Sequence, residues 1–226
     1  MTTSLKPFTL WGGVGGPNPS KVSIILAELS LAFDPQHLGL DKVKAPEYLK
    51  LNPNGRLPTL VDPNNGGFTL WESGAIIEYV VAKYDRDHLL SYEAGSDLDF
   101  QCKQWLYFQM SGQGPYYGQA YWFANFHPEK IPSAIERYVK EVRRVSGVLD
   151  THLKDREYLV GDKCTYADLA FISWQTGIKA VTAEVYDEEK EFPHLSAWLK
   201  KISSREATSR VLEQKKALEA TFFAKK

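Results

Sequence analysis

The chain of 226 residues is 43% apolar and 24% charged with a formal net charge of -1, which describes one large or two small soluble domains and offers no basic face for nucleic acid. No window approaches the roughly 20 apolar residues of a membrane span, and Met1-Thr2-Thr3-Ser4-Leu5-Lys6-Pro7 lacks the apolar core of a secretory leader, so a cytoplasmic protein with no membrane partner is expected. Cys102 and Cys164 lie far apart, outside any Cys-x-x-Cys or His-containing ligand pattern; both read as buried thiols, with neither a disulfide framework nor a metal site indicated.

In chain order, Phe8-Thr9-Leu10-Trp11 alternates weakly as a strand and runs into a loop, Gly12-Gly13-Val14-Gly15-Gly16-Pro17. A helix should follow, with Asn18 as N-cap, Pro19 at the first helical position, and Val22, Ile25, Leu26 and Leu29 along one face. The glycines miss the G-x-G-x-x-G positions and the Pro-Asn-Pro insert interrupts the direct strand-to-helix turn, so the case for a dinucleotide fingerprint is weak. Ala32 to Leu40 makes a poor strand because Pro35 interrupts it. A short helix is expected around Glu47 to Leu51, ending before the turn Asn52-Pro53-Asn54-Gly55. Two extended runs, Leu57-Pro58-Thr59-Leu60-Val61 and Gly67-Phe68-Thr69-Leu70, then form a hairpin across Asp62-Pro63-Asn64-Asn65-Gly66. Pro58 donates no ladder hydrogen bond, which places it at a strand end or in a special bond geometry.

The next stretch, Leu70-Trp71-Glu72-Ser73-Gly74-Ala75-Ile76-Ile77-Glu78-Tyr79, turns from strand to helix at Ser73, with Ala75, Ile76, Tyr79 and Val80 at helical spacing. A helix start offers unpaired N–H groups and partial positive charge to an anion, and Glu72 beside it suits a cation. The pair fits the α-amino acid end of a ligand, Ser73 taking the carboxylate and Glu72 the ammonium; it also fits a plain N-cap with a favourable neighbouring charge. Strand, helix, strand, helix, hairpin, helix within about ninety residues implies a small α/β domain, residues 1–88.

Asp85-Arg86-Asp87-His88-Leu89-Leu90-Ser91 reads as a linker, and residues 95–226 as a second, all-helical domain. Phe100, Trp105 and Phe108 line one of its helices. Ile135, Tyr138, Val139, Val142, Val145, Val148, Leu149 and Leu153 line another. Nine aromatics fall between Trp105 and Phe126, a cluster that Gly112-Gln113-Gly114-Pro115 should break in the middle. Tyr116, Tyr117, Tyr121 and Trp122 exceed what one buried stripe needs; beside the core reading stands that of side chains facing a cleft as a site for an apolar small molecule. Thr165 and Asp168 have the spacing of a capping box.

Asn52-Pro53-Asn54-Gly55-Arg56-Leu57-Pro58-Thr59-Leu60, followed after the hairpin by Trp71-Glu72-Ser73-Gly74-Ala75-Ile76, resembles the glutathione-binding, thioredoxin-like half of glutathione transferases. Pro17-Asn18-Pro19-Ser20-Lys21-Val22, with the segments around Phe108–Ala120 and Glu136–Val145, is similar to the fungal and bacterial branch related to the yeast nitrogen-catabolite regulator. The resemblance covers about Phe8 to Arg210 and implies an N-terminal thioredoxin-like domain followed by a C-terminal helical bundle. It implies glutathione as co-substrate, a cis Leu57-Pro58 bond that turns the Leu57 backbone toward the cysteinyl part, and Glu72 and Ser73 at the γ-glutamyl end. Many glutathione transferases place a Tyr, Ser or Cys just after the first strand, and the loop before Asn18 offers none; the resemblance to that branch implies instead that the Asn18 amide serves the thiol, as an electrostatic donor and not as a base, beside its plain reading as an N-cap. Lys44 and Arg56 are candidates for the glycine carboxylate, or are solvated surface charges. The expected protein is a homodimeric glutathione transferase acting on small apolar electrophiles. The alternatives are a glutathione-dependent disulfide reductase or peroxidase, or a non-enzymatic glutathione-binding regulator.

Overall fold

The computed structural model describes residues 5–39 and 41–223; the leader reading at Met1–Ser4 and the end of the Ala32–Leu40 segment lie outside them. The first strand, β1 (Phe8–Trp11), leads through the glycine loop into α1 (Pro17–Glu28), and β2 (Phe33–Gln36) lies parallel to β1. After α2 (Pro46–Leu49), strands β3 (Thr59–Asp62) and β4 (Phe68–Trp71) form the hairpin, and α3 (Ser73–Tyr84) closes the run. The sheet order is β2-β1-β3-β4, with β3 antiparallel to both neighbours. Pro35 sits opposite Leu10 in β2. It is tolerated because β2 is an edge strand, where a missing N–H on the open side breaks no ladder.

The core of this unit is Phe8, Leu10, Leu60, Ile24, Ile25, Ile76, Ile77 and Val80, all essentially sealed from solvent. Asp62, at the hairpin, is buried and accepts hydrogen bonds from Tyr79 Oη at 2.6 Å, from the N–H of Asn64 at 2.8 Å and from Tyr84 Oη. These tie the turn to α3. The expected linker is a tight turn in which the Asp85 carboxylate accepts the N–H groups of Leu89 and Leu90 at 2.7 and 2.9 Å.

Contacts divide the chain into one unit up to Leu90 joined by the segment from Ser204, and a second unit, Ser91–Ser203. The sequence expectation of one helical domain from 95 to 226 therefore differs from the structure at its end. The last helix, α11 (Glu206–Phe223), packs on α1 because α1 is buried on every side from Pro19 to Leu26 and needs an outer cover. Glu28 fixes the join, accepting from Arg205 Nη2 at 2.6 Å and Thr208 Oγ1 at 2.7 Å.

The second unit contains α4 (Asp97–Phe108), α5 (Gly114–Asn125), α6 (Pro132–Leu153), α7 (Tyr166–Leu169), α8 (Ile172–Thr182), α9 (Glu188–Glu191) and α10 (Pro193–Ser203). The expected helix break at 112–115 is instead a π turn, Gln109–Gln113, in which the Gly114 N–H reaches back to the Gln109 carbonyl. The wider turn admits Pro115, whose absent N–H would break an ordinary ladder. Val139, Val142, Val145, Leu149 and Leu153 are buried on α6 as their spacing predicts, whereas Val148 is 40% exposed. Thr165 and Asp168 form the capping box, and Asp168 also accepts from Leu159 N and Trp198 Nε1 at 2.8 and 3.0 Å.

Candidate functional site

Strand register gathers the N-terminal candidates at one end of the sheet. Thr59 stands opposite both Trp11 and Trp71. The loop leaving β1, the chain entering β3 and the chain leaving β4 therefore emerge side by side, carrying Asn18, then Arg56, Leu57 and Pro58, then Glu72 and Ser73.

The Leu57-Pro58 peptide is cis, with Pro58 buried and Leu57 half-buried. Its approach is anchored by side chains that the motif alone does not single out. Tyr48 Oη and Asn52 Nδ2 both donate to the Arg56 carbonyl, at 2.8 and 2.7 Å, and Asn52 also donates to Thr59 Oγ1 at 3.2 Å. The Asn54 N–H closes the loop on Asn52 Oδ1 at 3.0 Å. Gly55 has φ 57, and a Cβ there would lie 2.7 Å from the Val43 carbonyl, so only glycine fits the turn. Lys44 Nζ donates to the Asn54 carbonyl at 2.7 Å, and Arg56 is exposed and makes no ion pair among the described residues.

Glu72 is the N-cap of α3, with φ 70 and ψ 112, and its side chain makes no capping bond. Ser73 is the first helical residue and is 2% exposed, so it is not the N-cap. The strained backbone at Glu72 is a conformation that persists only where its surroundings over-determine it, which is characteristic of ligand clamps. The exposed Glu72 carboxylate and the start of α3 thus place opposite charge preferences next to each other.

Helix α1 begins one proline earlier than the spacing suggested: Gly16 is the N-cap, Pro17 opens the helix, and no side chain caps it. Asn18 therefore lies inside the first turn, half-buried, and the plain N-cap reading does not hold. Pro17 and Pro19 bring no N–H, so among the first three residues of α1 only Asn18 brings a backbone donor, together with its amide. The preceding loop is pinned from within by Ser23 Oγ, which donates to the Gly13 carbonyl at 2.9 Å.

On α5 the four aromatic candidates separate. Tyr117 is fully buried, its hydroxyl 3.0 Å from both Ser146 Oγ and Gln175 Oε1, and burial raises its pKa. It is a core residue of the helical unit and is withdrawn from the electrophile site. Trp122 is 47% exposed, and Tyr116 and Tyr121 are half-buried.

Two family models cover most of the chain: Glutathione S-transferase, N-terminal domain, matches residues 6–82, and Glutathione S-transferase, C-terminal domain, matches residues 115–206. The chain belongs to the glutathione S-transferase family. It is 50% identical to the Glutathione S-transferase-like protein gedE of Aspergillus terreus over 220 residues, 93% of this chain and 96% of that protein. Protein URE2 of Meyerozyma guilliermondii is 36% identical over 241 residues, covering 91% of this chain and 79% of its own. The crystal structure of the glutathione transferase URE2P6 from Phanerochaete chrysosporium, in complex with oxidised glutathione, matches with TM-score 0.91 and 50% identity over 94% of this chain and 97% of that one. The resemblance to the Ure2-related branch thus holds over nearly the whole length.

The chain also holds features that its sequence does not single out. Lys21, between Ser20 and Val22 on α1, is 1% exposed, and burial lowers its pKa to about 7 against the opposing charge of Glu72. The apolar stripe of α1 predicts a polar outer face, whereas the helix is buried from Pro19 to Leu26, so the sequence pattern hides this lysine. Trp174 on α8 lies over Gly114 and Gly118 of α5, close enough that an added Cβ at Gly118 would stand 3.3 Å from the indole. Cys102 and Cys164 are buried and form no disulfide among the described residues, and burial pushes the Cys102 thiol up to about 11. Among the described residues no group of three or more His, Cys, Asp or Glu is arranged to hold a metal, and no helix is long and apolar enough to cross a membrane.

Proposed function

We propose that the protein is a glutathione transferase that presents the glutathione thiolate to small apolar electrophiles. The observation that carries this reading is the convergence, at one sheet end, of the strained Glu72–Ser73 helix start, the cis Leu57-Pro58 edge and the Asn18 turn. An extended tripeptide fits that order. Ser73 and the start of α3 receive the γ-glutamyl carboxylate, and Glu72 receives its ammonium. Leu57, released from the ladder by the geometry at Pro58, pairs with the cysteinyl backbone. Lys44 or Arg56 meets the glycine carboxylate. Asn18 then donates to the sulfur, stabilising thiolate over thiol without taking a proton. Tyr116, Tyr121 and Trp122 are the remaining apolar candidates for holding the electrophile, and the active form is proposed to be a cytoplasmic homodimer.

A second reading, glutathione-dependent disulfide reduction, is favoured by the similarity to a transferase crystallised with oxidised glutathione. With both protein thiols buried, such exchange would run through the bound glutathione thiolate attacking a mixed disulfide, releasing the other thiolate and forming oxidised glutathione. Parallel assays with an aryl halide, a peroxide and hydroxyethyl disulfide separate the readings. Turnover of the aryl halide is expected. Glutathione binding with no turnover of any of the three would replace the enzyme by a binding protein.

A further inference from the structure

Against the buried side of α5 the second unit seals a continuous run of polar side chains. Gln109, Gln113 and Gln175 are fully buried, and the run reaches Glu188, 7% exposed, whose carboxylate lies 3.6 Å from the Lys179 ammonium. A carboxylate only accepts, so Gln175 turns its Nε2 to Glu188 Oε2, at 2.8 Å, and its Oε1 the other way. That oxygen accepts from Tyr117 Oη at 3.0 Å and from Gln113 Nε2 at 3.1 Å, and Gln113 Oε1 accepts in turn from Gln109 Nε2 at 3.1 Å. One carboxylate thereby sets the sense of every link. Gln109 and Gln113 are the first and last residues of the π turn, so the final link staples that turn side chain to side chain.

Buried amides that exchange water for one another add little net stability; a satisfied network instead selects one arrangement. The arrangement selected here is the extra residue of the π turn. Without it α5 would rotate by about 100° about its own axis. In the present phase Tyr117 and Ala120 face inward, fully buried, while Tyr116, Tyr121 and Trp122 stay accessible. We propose that Gln109 and Gln113 are positioning residues for the electrophile: with Gln175 and Glu188 behind them, they hold α5 in the phase that presents its aromatic side chains. The site then favours flat aromatic electrophiles, which can stack on those rings, over aliphatic ones of similar size. This rests on the transferase reading above. Both glutamines are sealed in the interior, so they act through the phase of α5 and not by touching the substrate.

The test is steady-state kinetics of the full chain with glutathione and, in parallel, an aryl chloride and an alkyl iodide, in the wild type and in Gln113→Met, which keeps the length of the side chain and removes its hydrogen bonds. Gln113→Met should raise KM for the aryl chloride about fivefold or more, leave KM for the alkyl iodide and for glutathione unchanged, and so lose the aryl preference of the wild type. A wild type without that preference, an unchanged aryl-to-alkyl ratio of kcat/KM in the variant, or a loss that falls equally on both halides overturns the role of the glutamines and leaves the transferase reading intact. A wild type that binds glutathione and turns over neither halide overturns that reading and the proposal with it. Gln109→Met breaks the same staple from its other end and repeats the measurement if the first variant does not fold. Failure of both variants to fold would assign the amides to the architecture and overturn the proposal.

Discussion

The backbone at Glu72 allows binding and strain to be separated with two substitutions at one position. Glu72→Ala removes the carboxylate and leaves a side chain at φ 70, so the strain stays; Glu72→Gly removes both. A charge-assisted hydrogen bond to the ligand's ammonium is worth about 1.5 to 3 kcal/mol, so both variants should bind glutathione about tenfold to a hundredfold more weakly. Relief of a positive-φ conformation is worth about 1 kcal/mol or more, which for a chain of this size is a rise of about 2 to 4 °C in melting temperature of Gly over Ala. Calorimetry gives the affinities and thermal unfolding gives the difference. Glycine and alanine variants that melt together would show that the site stores no strain. Wild-type affinity in either would remove Glu72 from the ligand.

Asn18→Ala should raise the apparent pKa of bound glutathione in a pH–rate profile, with the loss of activity greatest at low pH; a profile that does not move would assign thiol stabilisation to another donor. Asn52→Ala leaves the Arg56 carbonyl with only Tyr48 and should lower stability by about 1 to 3 kcal/mol in urea unfolding and weaken glutathione binding with it, whereas loss of stability alone would confine Asn52 to the fold. Burial works against ionised Asp62, but hydrogen bonds from Tyr79, Tyr84 and Asn64 prevail and hold its pKa below the usual carboxylate range. Its contribution is thus complete above the unfolded pKa of about 4 and is lost as pH falls through the folded value. Tyr84→Phe should flatten the fall in stability between neutral pH and about pH 3, and an unchanged slope would refute the linkage.

What the chain reveals before folding depends on whether a signal is local. Leu57-Pro58 was legible because a proline at a strand start has few permitted places, and the Glu72–Ser73 turn because an apolar strand met helical spacing directly. The spacing puts Asn18 at the N-cap, two positions from its place in the first turn, because Pro17 and Pro19 are equally suited to open a helix, and Pro17 does so. Tyr117 was misjudged because composition counts aromatics without facing them. The π turn before it inserts an extra residue and rotates α5 relative to α4, so the buried stripe does not continue in phase. Lys21 and the φ of Glu72 are set by tertiary surroundings and leave no periodic trace.

The docking of α11 on α1 has a bearing on synthesis. Helix α1 leaves the ribosome before the whole intervening helical unit, and its outer cover, from Ser204 onward, only after it. The nascent N-terminal unit must wait, with part of an apolar helix bare, while the whole intervening helical unit is translated, and contacts of such long sequence separation form slowly. Cleavage between Leu90 and Ser91 would therefore not release an autonomous N-terminal fragment, and this stretch is where nascent-chain chaperones would find their longest-lived target.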